Sequence, residues 1–227
     1  MPSARRIRER RTPRRRRQPE GRPGGYGCRV SAYAAVVLAG GAARRMGGVD
    51  KPARPVGGRP MRDRVLAAVA DAAPRILVGP AAGVPGGVLV TREEPSGGGP
   101  VAATAAGLAL LPGDATVVAL LAADLPLLTR AAVGDLLHHL DSGSDGVCFV
   151  DEAGRRQTLC GVWRVAALRG AVDRLAGAST RALAGASLRS LLYGLTVHEV
   201  PWRGDGPPPW FDCDTDEDVR RAEEWAR

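Results

Sequence analysis

The sequence predicts an α/β sandwich with a mostly parallel sheet. Three observations carry that expectation. Short apolar runs of strand length alternate with segments of helical spacing, the pattern of helices packed on a parallel sheet. Two of the runs, residues 34–38 and 116–121, lead into glycine-rich or polar loops, as buried strands do where their carboxyl ends face a ligand crevice. The chain has 227 residues, 44% of them hydrophobic, enough to bury a core without metal or disulfide staples. It has no apolar run of about 18 residues that would span a membrane.

Taken in order, residues 34–38 (AAVVL) read as a buried strand entering a turn. Residues 61–73 (MRDRVLAAVADAA) have helical spacing, with Val65, Leu66 and Val69 on one face. Residues 75–78 and 88–90 are short strands separated by a Gly/Pro loop. Residues 100–111 (PVAATAAGLALL) form a small-residue helix with proline in its first turn. Residues 116–121 (TVVALL) are a second buried strand, running into Ala122-Ala123-Asp124. A helix over 129–140 follows, with Thr129 as its N-cap. The second half carries strands near 146–150 and 158–163 and helices near 165–175 and 180–192. A strand near 196–200 and a closing helix over 215–226 complete it.

The formal net charge is +8, but its location matters more than its size. Residues 1–31 hold eleven arginines against two acids, or +9, while the rest of the chain carries 21 basic and 22 acidic groups, or −1. Arginine supplies 31 of the 32 basic residues, and Lys51 is the single lysine. The Arg/Pro/Gly-rich segment has too few aliphatic residues to offset its ordering entropy. The chain is therefore expected to divide into a disordered tail, 1–31, and a domain, 32–227. Three readings of the tail stand: a basic arm for nucleic acid or anionic lipid, a targeting signal followed by a glycine-broken apolar stretch, or a dispensable extension. Cys28, Cys148, Cys160 and Cys213 lie far apart with no C-x-x-C. That argues against structural zinc or a disulfide framework and favours a reducing cytoplasm.

The strongest feature is residues 38–52, LAGGAARRMGGVDKP. It is neither a Walker A loop nor G-x-G-x-x-G, yet it has the physics of a phosphate cradle. Gly40 and Gly41 let backbone N–H groups approach an anion, and Arg45 and Lys51 add positive charge. An ordinary glycine turn with solvated basic residues is the competing reading. One lysine retained in an arginine-rich chain argues for a position that wants a compact ammonium.

Asp124 follows a buried strand directly and is held by the turn-forming Leu125-Pro126. Thr129 supplies the next helix cap better than Asp124 would, which favours Asp124 as a Mg²⁺ ligand. Mg²⁺ takes hard oxygens, typically one or two carboxylates plus substrate phosphates. Asp212 and Asp214 lie two apart on an extended segment and share a face. Asp214 also precedes the last helix, where it could join Thr215 in a cap. Asp216, Glu217 and Asp218 read as first-turn acids facing the helix dipole. His138 and His139, adjacent on a helix, point apart and do not pair as ligands. Trp163, Trp202, Trp210 and Trp225 form no stripe and read as core or rim packing rather than base stacking.

The pattern L-A-G-G-x-x-x-R-M-G-G-x-D-K over residues 38–51 resembles the amino-terminal signature of the molybdenum cofactor guanylyltransferases. These belong to a wider group of nucleotidyltransferases with a three-layer, Rossmann-like, glycosyltransferase-A-type fold. Residues 93–101 (EEPSGGGPV) are similar to that family's acidic residue and G-P turn into a helix. Residues 122–128 (AADLPLL) are similar to its strand-end C-D-x-P, with alanine in place of the cysteine. Residues 211–219 (FDCDTDEDV) are similar to its F-x-N-x-N-T-P-E-D-L ending, with aspartates in place of both asparagines.

The resemblance implies Mg²⁺-dependent transfer of GMP from GTP to the terminal phosphate of molybdopterin, releasing pyrophosphate. It implies nucleotide contacts from Leu38, Ala39, Gly40, Gly41, Lys51, Gly79, Glu93 and Asp124, with Glu94 the alternative to Glu93. Catalysis would fall to Arg45, Lys51 and Asp124, and metal binding to Asp124 and Asp214. Arg156, Gln157, Thr158 and Arg181 fall where the family binds the pterin-bearing substrate. The L-A-G-G form, rather than the L/T-A-A-G of related cytidylyltransferases, favours GTP over CTP. Molybdoenzymes or their chaperones are the protein partners implied, with no membrane, and with nucleic acid engaged only through the tail. Two alternatives stand beside this. One is a related nucleotidyltransferase using CTP or another phosphate acceptor, of cytidylyltransferase or sugar-phosphate type. The other is a non-catalytic nucleotide-binding protein, against which Lys51 and Asp124 argue.

Overall fold

A computed structural model describes residues 32–40, 51–177 and 179–227. Side-chain alternation explains its layering. In β1 (Ala34–Leu38), Ala35 and Val37 enter one core while Ala34, Val36 and Leu38 enter another, following the two-residue period of a strand. The adjacent β6 (Val117–Ala122) divides the same way, with Ala119 and Leu121 in the first core and Val118 and Leu120 in the second. Burial on both faces is why these strands are continuously apolar.

Helices α1 (Met61–Ala68) and α3 (Arg130–His139) cover the first core through residues such as Leu66 and Leu136. Helices α2 (Pro100–Ala109), α4 (Val165–Ala176) and α5 (Leu188–Leu191) cover the second through Val101, Leu168 and Leu191. The result is a three-layer α/β fold. The remaining strands of the sheet are β4 (Arg75–Val78), β5 (Val88–Thr91), β7 (Gly146–Val150), β8 (Arg156–Arg164) and β9 (Val197–Pro201). Strand order is β5-β4-β1-β6-β8-β7-β9. Only the two pairs that involve β8 are antiparallel, so six strands run one way, as expected of a mostly parallel sheet. A hairpin of β2 (Pro55–Val56) and β3 (Arg59–Pro60) lies apart from the sheet. It meets the C-terminal α6 (Asp216–Trp225) over a small third core of Val56, Met61, Leu127, Cys213 and Val219.

Several elements differ from expectation. Helix 61–73 stops at Ala68; turns close from Ala70 to Ala67 and from Ala72 to Val69, and the Ala73 N–H donates to the Tyr33 carbonyl at 2.9 Å. The chain is thereby turned back towards the sheet. The expected helix 180–192 is instead a 3-10 turn, Thr180–Leu183, and the short α5. Between them Gly185, at φ +76°, donates its N–H to the Gly98 carbonyl at 2.8 Å, a tertiary bond that a continuous helix would forbid. Strand β8 starts two residues before the expected 158 and pairs with β7 across a register shift between Cys148 and Val150.

This topology also positions the site. From β1 the chain moves outward to β4 and β5, then returns to β6 on the other side of β1. The carboxyl ends of β1 and β6 therefore form a topological switch point, where open α/β sheets bind ligands. The Ala123 N–H, donating to the Leu38 carbonyl at 3.0 Å, fastens the two loops together. No helix among the described residues is long and apolar enough to cross a membrane.

Candidate active site

Three segments far apart in sequence meet at that switch point. Lys51 lies in a 3-10 turn, Lys51–Ala53, and is 9% exposed. Its Nζ donates to Asp124 Oδ2 at 2.5 Å and to Asp214 Oδ1 at 2.7 Å. Burial pulls the Lys51 ammonium down, but the hydrogen bonds and charges of Asp124 and Asp214 outweigh it and hold the group above the ordinary lysine range. Asp124 stands two residues past β6, on a turn that Arg64 braces by donating from Nε to the Pro126 carbonyl at 2.8 Å. The Asp124 carbonyl in turn accepts from the Cys213 N–H at 3.2 Å, which ties in the C-terminal segment.

Neither aspartate is occupied as a helix cap. Thr129 caps α3 by accepting from the Ala132 N–H at 3.1 Å. Thr215 caps α6 in a capping box with Asp218, whose carboxylate also accepts from the Asp214 N–H at 3.1 Å. Asp218 is thus a reciprocal cap residue as well as a first-turn acid. The alternation of the 212–214 segment sends the Cys213 side chain into the third core, while Asp212 and Asp214 turn towards Asp124. Asp212 faces the cleft. Burial first, then the charges of Asp214 and Asp124, push its carboxyl above the usual carboxylate range.

Three carboxylates beside one ammonium leave a local formal charge of −2. Among the described residues no group of three or more His, Cys, Asp or Glu is arranged to enclose a metal by itself. The donor set is nonetheless hard oxygen, held around a cation, and its unbalanced charge suits a divalent ion that completes its shell with ligand phosphates. Asp124 and Asp214, already gathered about the Lys51 cation, could contribute to holding it.

On the β4 side of Asp124 the nucleotide candidates also assemble. Gly79 abuts Ala39 so closely that an added Cβ would lie 2.9 Å from the Ala39 Cβ. The Ala39 N–H donates to the Val78 carbonyl at 2.8 Å. Glu93 is 9% exposed and accepts from the Gly97 N–H at 3.1 Å. A Cβ on Gly40 would come within 3.3 Å of both Glu93 carboxylate oxygens, so glycine at 40 permits this contact. Glu94 is exposed. Gly41 and Arg45 lie outside the described residues.

On the β8 side a cleft of about 300 Å³ opens beside Asp124. Leu38, Gly40, residues 156–160 of β8, Trp210 and Asp212 all line it. Arg156, Gln157 and Thr158 therefore come to the site. Arg156 donates to Glu199 at 2.7 Å. Arg181 sits exposed in the 3-10 turn and does not line the cleft. Trp210, read from the sequence as packing alone, borders the cleft; its place two residues before Asp212 was the available signal. The imidazoles of His138, His139 and His198 meet edge to face at centroid spacings of 5.7 Å, at the far end of α3 from Asp124. Burial raises the thiols of Cys148 to about 11 and Cys213 to about 12 and lifts that of Cys160 further. No thiolate nucleophile is available among these three at neutral pH.

The family model for a MobA-like NTP transferase domain matches residues 35–195. A Cereibacter sphaeroides protein named molybdenum cofactor guanylyltransferase is 35% identical over 156 residues, covering 65% of this chain and 77% of that protein. One of the same name from Nitrobacter hamburgensis is 32% identical over 206 residues, covering 84% and 93%. Among solved structures, molybdopterin-guanine dinucleotide biosynthesis protein A from Archaeoglobus fulgidus aligns at TM-score 0.61 and 18% identity, over 84% of this chain and 97% of that one. The 4-diphosphocytidyl-2C-methyl-D-erythritol synthase of Anaerococcus prevotii aligns at TM-score 0.62 and 14% identity, over 87% and 99%. At those identities the two structures speak to the shared nucleotidyltransferase fold.

Proposed function

We propose a specific reaction for a chain that belongs to the MobA-like NTP transferase family and is a nucleotidyltransferase: transfer of GMP from GTP to the terminal phosphate of molybdopterin. The observation that carries it is Lys51 held between Asp124 and Asp214 at the switch point of the sheet. In this reading the nucleotide occupies the β1 and β4 side of that point, and the acceptor occupies the part of the cleft lined by β8. The relatives named molybdenum cofactor guanylyltransferase support the choice of substrates.

In this reading GTP lies on the β1 and β4 side. Its phosphates rest on the backbone of residues 38–41, and its base lies towards Gly79 and Glu93. The acceptor enters along β8, past Arg156, Gln157 and Thr158. An oxygen of its terminal phosphate attacks the α-phosphorus of GTP. One P–O bond forms, the bond to the β-phosphate bridging oxygen breaks, and pyrophosphate leaves with the bonding pair. No covalent enzyme intermediate is needed, so the protein contributes position and charge. Lys51, with Arg45, neutralises the transferring and departing phosphates. Asp124 and Asp214 would hold the Mg²⁺ whose chemistry is to neutralise phosphate charge and bring the two substrates together. Arg156 adds charge for the acceptor phosphate. The action is expected in the cytoplasm, with molybdoenzymes or their chaperones receiving the product.

The test is to incubate the purified full chain with Mg²⁺, molybdopterin and each nucleoside triphosphate, and to identify products by mass spectrometry. A guanine dinucleotide is expected. Its absence with GTP would overturn the reading, and a cytosine dinucleotide alone would move the chain to the cytidylyltransferases.

A further inference from the structure

The cleft beside Asp124 has one aromatic wall. Trp210 borders it, half-buried and packed against the first core. Behind the indole, the fully buried Phe149 lies 5.3 Å away between centroids, at an interplanar angle of 37°. Phe149 is itself braced by Trp202 in an edge contact at 5.5 Å. Pro207, Pro208 and Pro209 precede Trp210, and the Phe211 N–H donates to the Pro208 carbonyl at 3.0 Å. The ring is thus backed on one side and fed by a backbone with little freedom left to lose. Two residues on, Asp212 lines the same cleft, and the Cys213 N–H bonds the Asp124 carbonyl. Residues 157–159 of β8 line the same cleft.

An aromatic ring held this way suits the face of a flat heterocycle. Its place in the sheet says which heterocycle. Ala39, Gly79 and Glu93 gather beyond the ends of β1, β4 and β5 and do not line the cleft, whereas Trp210 and β8 do. We propose that Trp210 is the stacking platform for the pterin ring of the acceptor, and that it holds that ring so the attached phosphate reaches Asp124 and Lys51. Stacking supplies affinity without sequence-like hydrogen-bond readout, and the polar edge of the ring is left to Gln157 and Thr158. The inference rests on the reading of this cleft as the acceptor side of the transferase site.

The test uses the full chain without GTP or Mg²⁺ and a phosphate-free pterin, 6-hydroxymethylpterin, as the probe in calorimetric titration. Trp210→Ala is expected to weaken pterin binding roughly ten- to a hundredfold. Trp210→Phe, which keeps a ring face, is expected to stay within about threefold. In a separate titration with GTP alone, GTP affinity should hold within about twofold in both variants, since its side of the site is untouched. Wild-type affinity for the pterin in Trp210→Ala would overturn the proposal. So would parallel loss of pterin and GTP in both variants, which would mark Trp210 as structural support. Because the pterin titration contains no nucleotide, a wild-type chain that binds pterin through Trp210 but makes no dinucleotide would refute the transfer reaction and leave this proposal standing.

Discussion

Lys51→Met removes the ammonium at the centre of the site while keeping most of the aliphatic stem that fills its buried path. Two charge-assisted hydrogen bonds disappear, at 2.5 and 2.7 Å. The Asp124 side chain is 22% exposed, and leaving it without its partner costs about 1.5–3 kcal/mol. The Asp214 side chain is 71% exposed, and water replaces most of what it loses, for about 0–1 kcal/mol. Relief from burying the ammonium offsets part of this, so the net loss is expected near about 1–3 kcal/mol. With a urea m-value of about 2 kcal/mol/M, the unfolding midpoint should fall by about 0.5–1.5 M. The variant also leaves Asp124, Asp212 and Asp214 without a compensating charge. Added Mg²⁺ should therefore stabilise the variant more than the wild type, by about 1.4 kcal/mol at ten times its dissociation constant. Nucleotidyl transfer should drop by at least about a hundredfold. A variant that unfolds at the wild-type midpoint and gains nothing from Mg²⁺ would refute the reasoning, because the three carboxylates would then be neither balanced by Lys51 nor a cation site.

Three further perturbations probe the scaffold and the tail. Gly146→Ala would set a Cβ 2.1 Å from Cε3 of the fully buried Trp163. Overpacking of that kind costs about 1–3 kcal/mol and should lower the melting temperature by several degrees, on the order of 2–4 °C per kcal/mol; an unchanged melt followed by circular dichroism would mean the ring has room to move. Asp71 tests the pH dependence. Burial pushes its carboxyl up, but the Tyr33 hydroxyl at 2.8 Å and Arg130 outweigh that and hold it below the usual range. A depressed folded value means stability that is present above the unfolded carboxylate range and lost as pH falls through the folded value. Asp71→Asn is thus expected to cost about 0.5–1 kcal/mol at pH 7, where solvent screens the exposed carboxylate, and progressively less as pH falls through the folded value in urea titrations; a deficit that persists undiminished in acid would assign the effect to shape rather than charge. Finally, a chain beginning at residue 32 is expected to keep kcat and KM within about twofold, and a tenfold loss would bring the arginine tail into the reaction.

What the sequence made legible follows from which information is local. The strands β1, β4, β6 and β7 were plain because burial on two faces demands uninterrupted apolar residues, and the caps at Thr129 and Thr215 because a cap is a contact over three residues. The reversal of β8 was not readable, since an apolar run carries no direction; only its pairing with both β6 and β7 sets it. The overextended helix 180–192 failed for the same reason. Its local composition tolerates helix, and what ends it is the bond from Gly185 to Gly98, made across 87 positions of chain.

The site divides along the same line, and the charge of the chain makes the point most clearly. Lys51 stood out because it is the one lysine among 32 basic residues, and Asp124 because it ends an apolar strand. Both are local facts. That Asp214 shares the ammonium with Asp124 required residues 51, 124 and 214 to converge, and no spacing rule links them. Burial raises the Asp212 carboxyl first, and the charges of Asp214 and Asp124, which only that convergence supplies, raise it further. A body at −1 overall holds a cluster at −2 where three segments meet, and a cation drawn there answers to the cluster rather than to the total. The +9 of residues 1–31 would enter that balance only if the tail reached the cleft, so salt sensitivity separates the two cases. At about 8 Å of screening length in physiological salt, a cleft governed by Lys51 and its aspartates should keep its GTP affinity when residues 1–31 are removed, at low and at high ionic strength alike. An affinity that becomes salt-insensitive only on their removal would show the tail acting as a second source of charge.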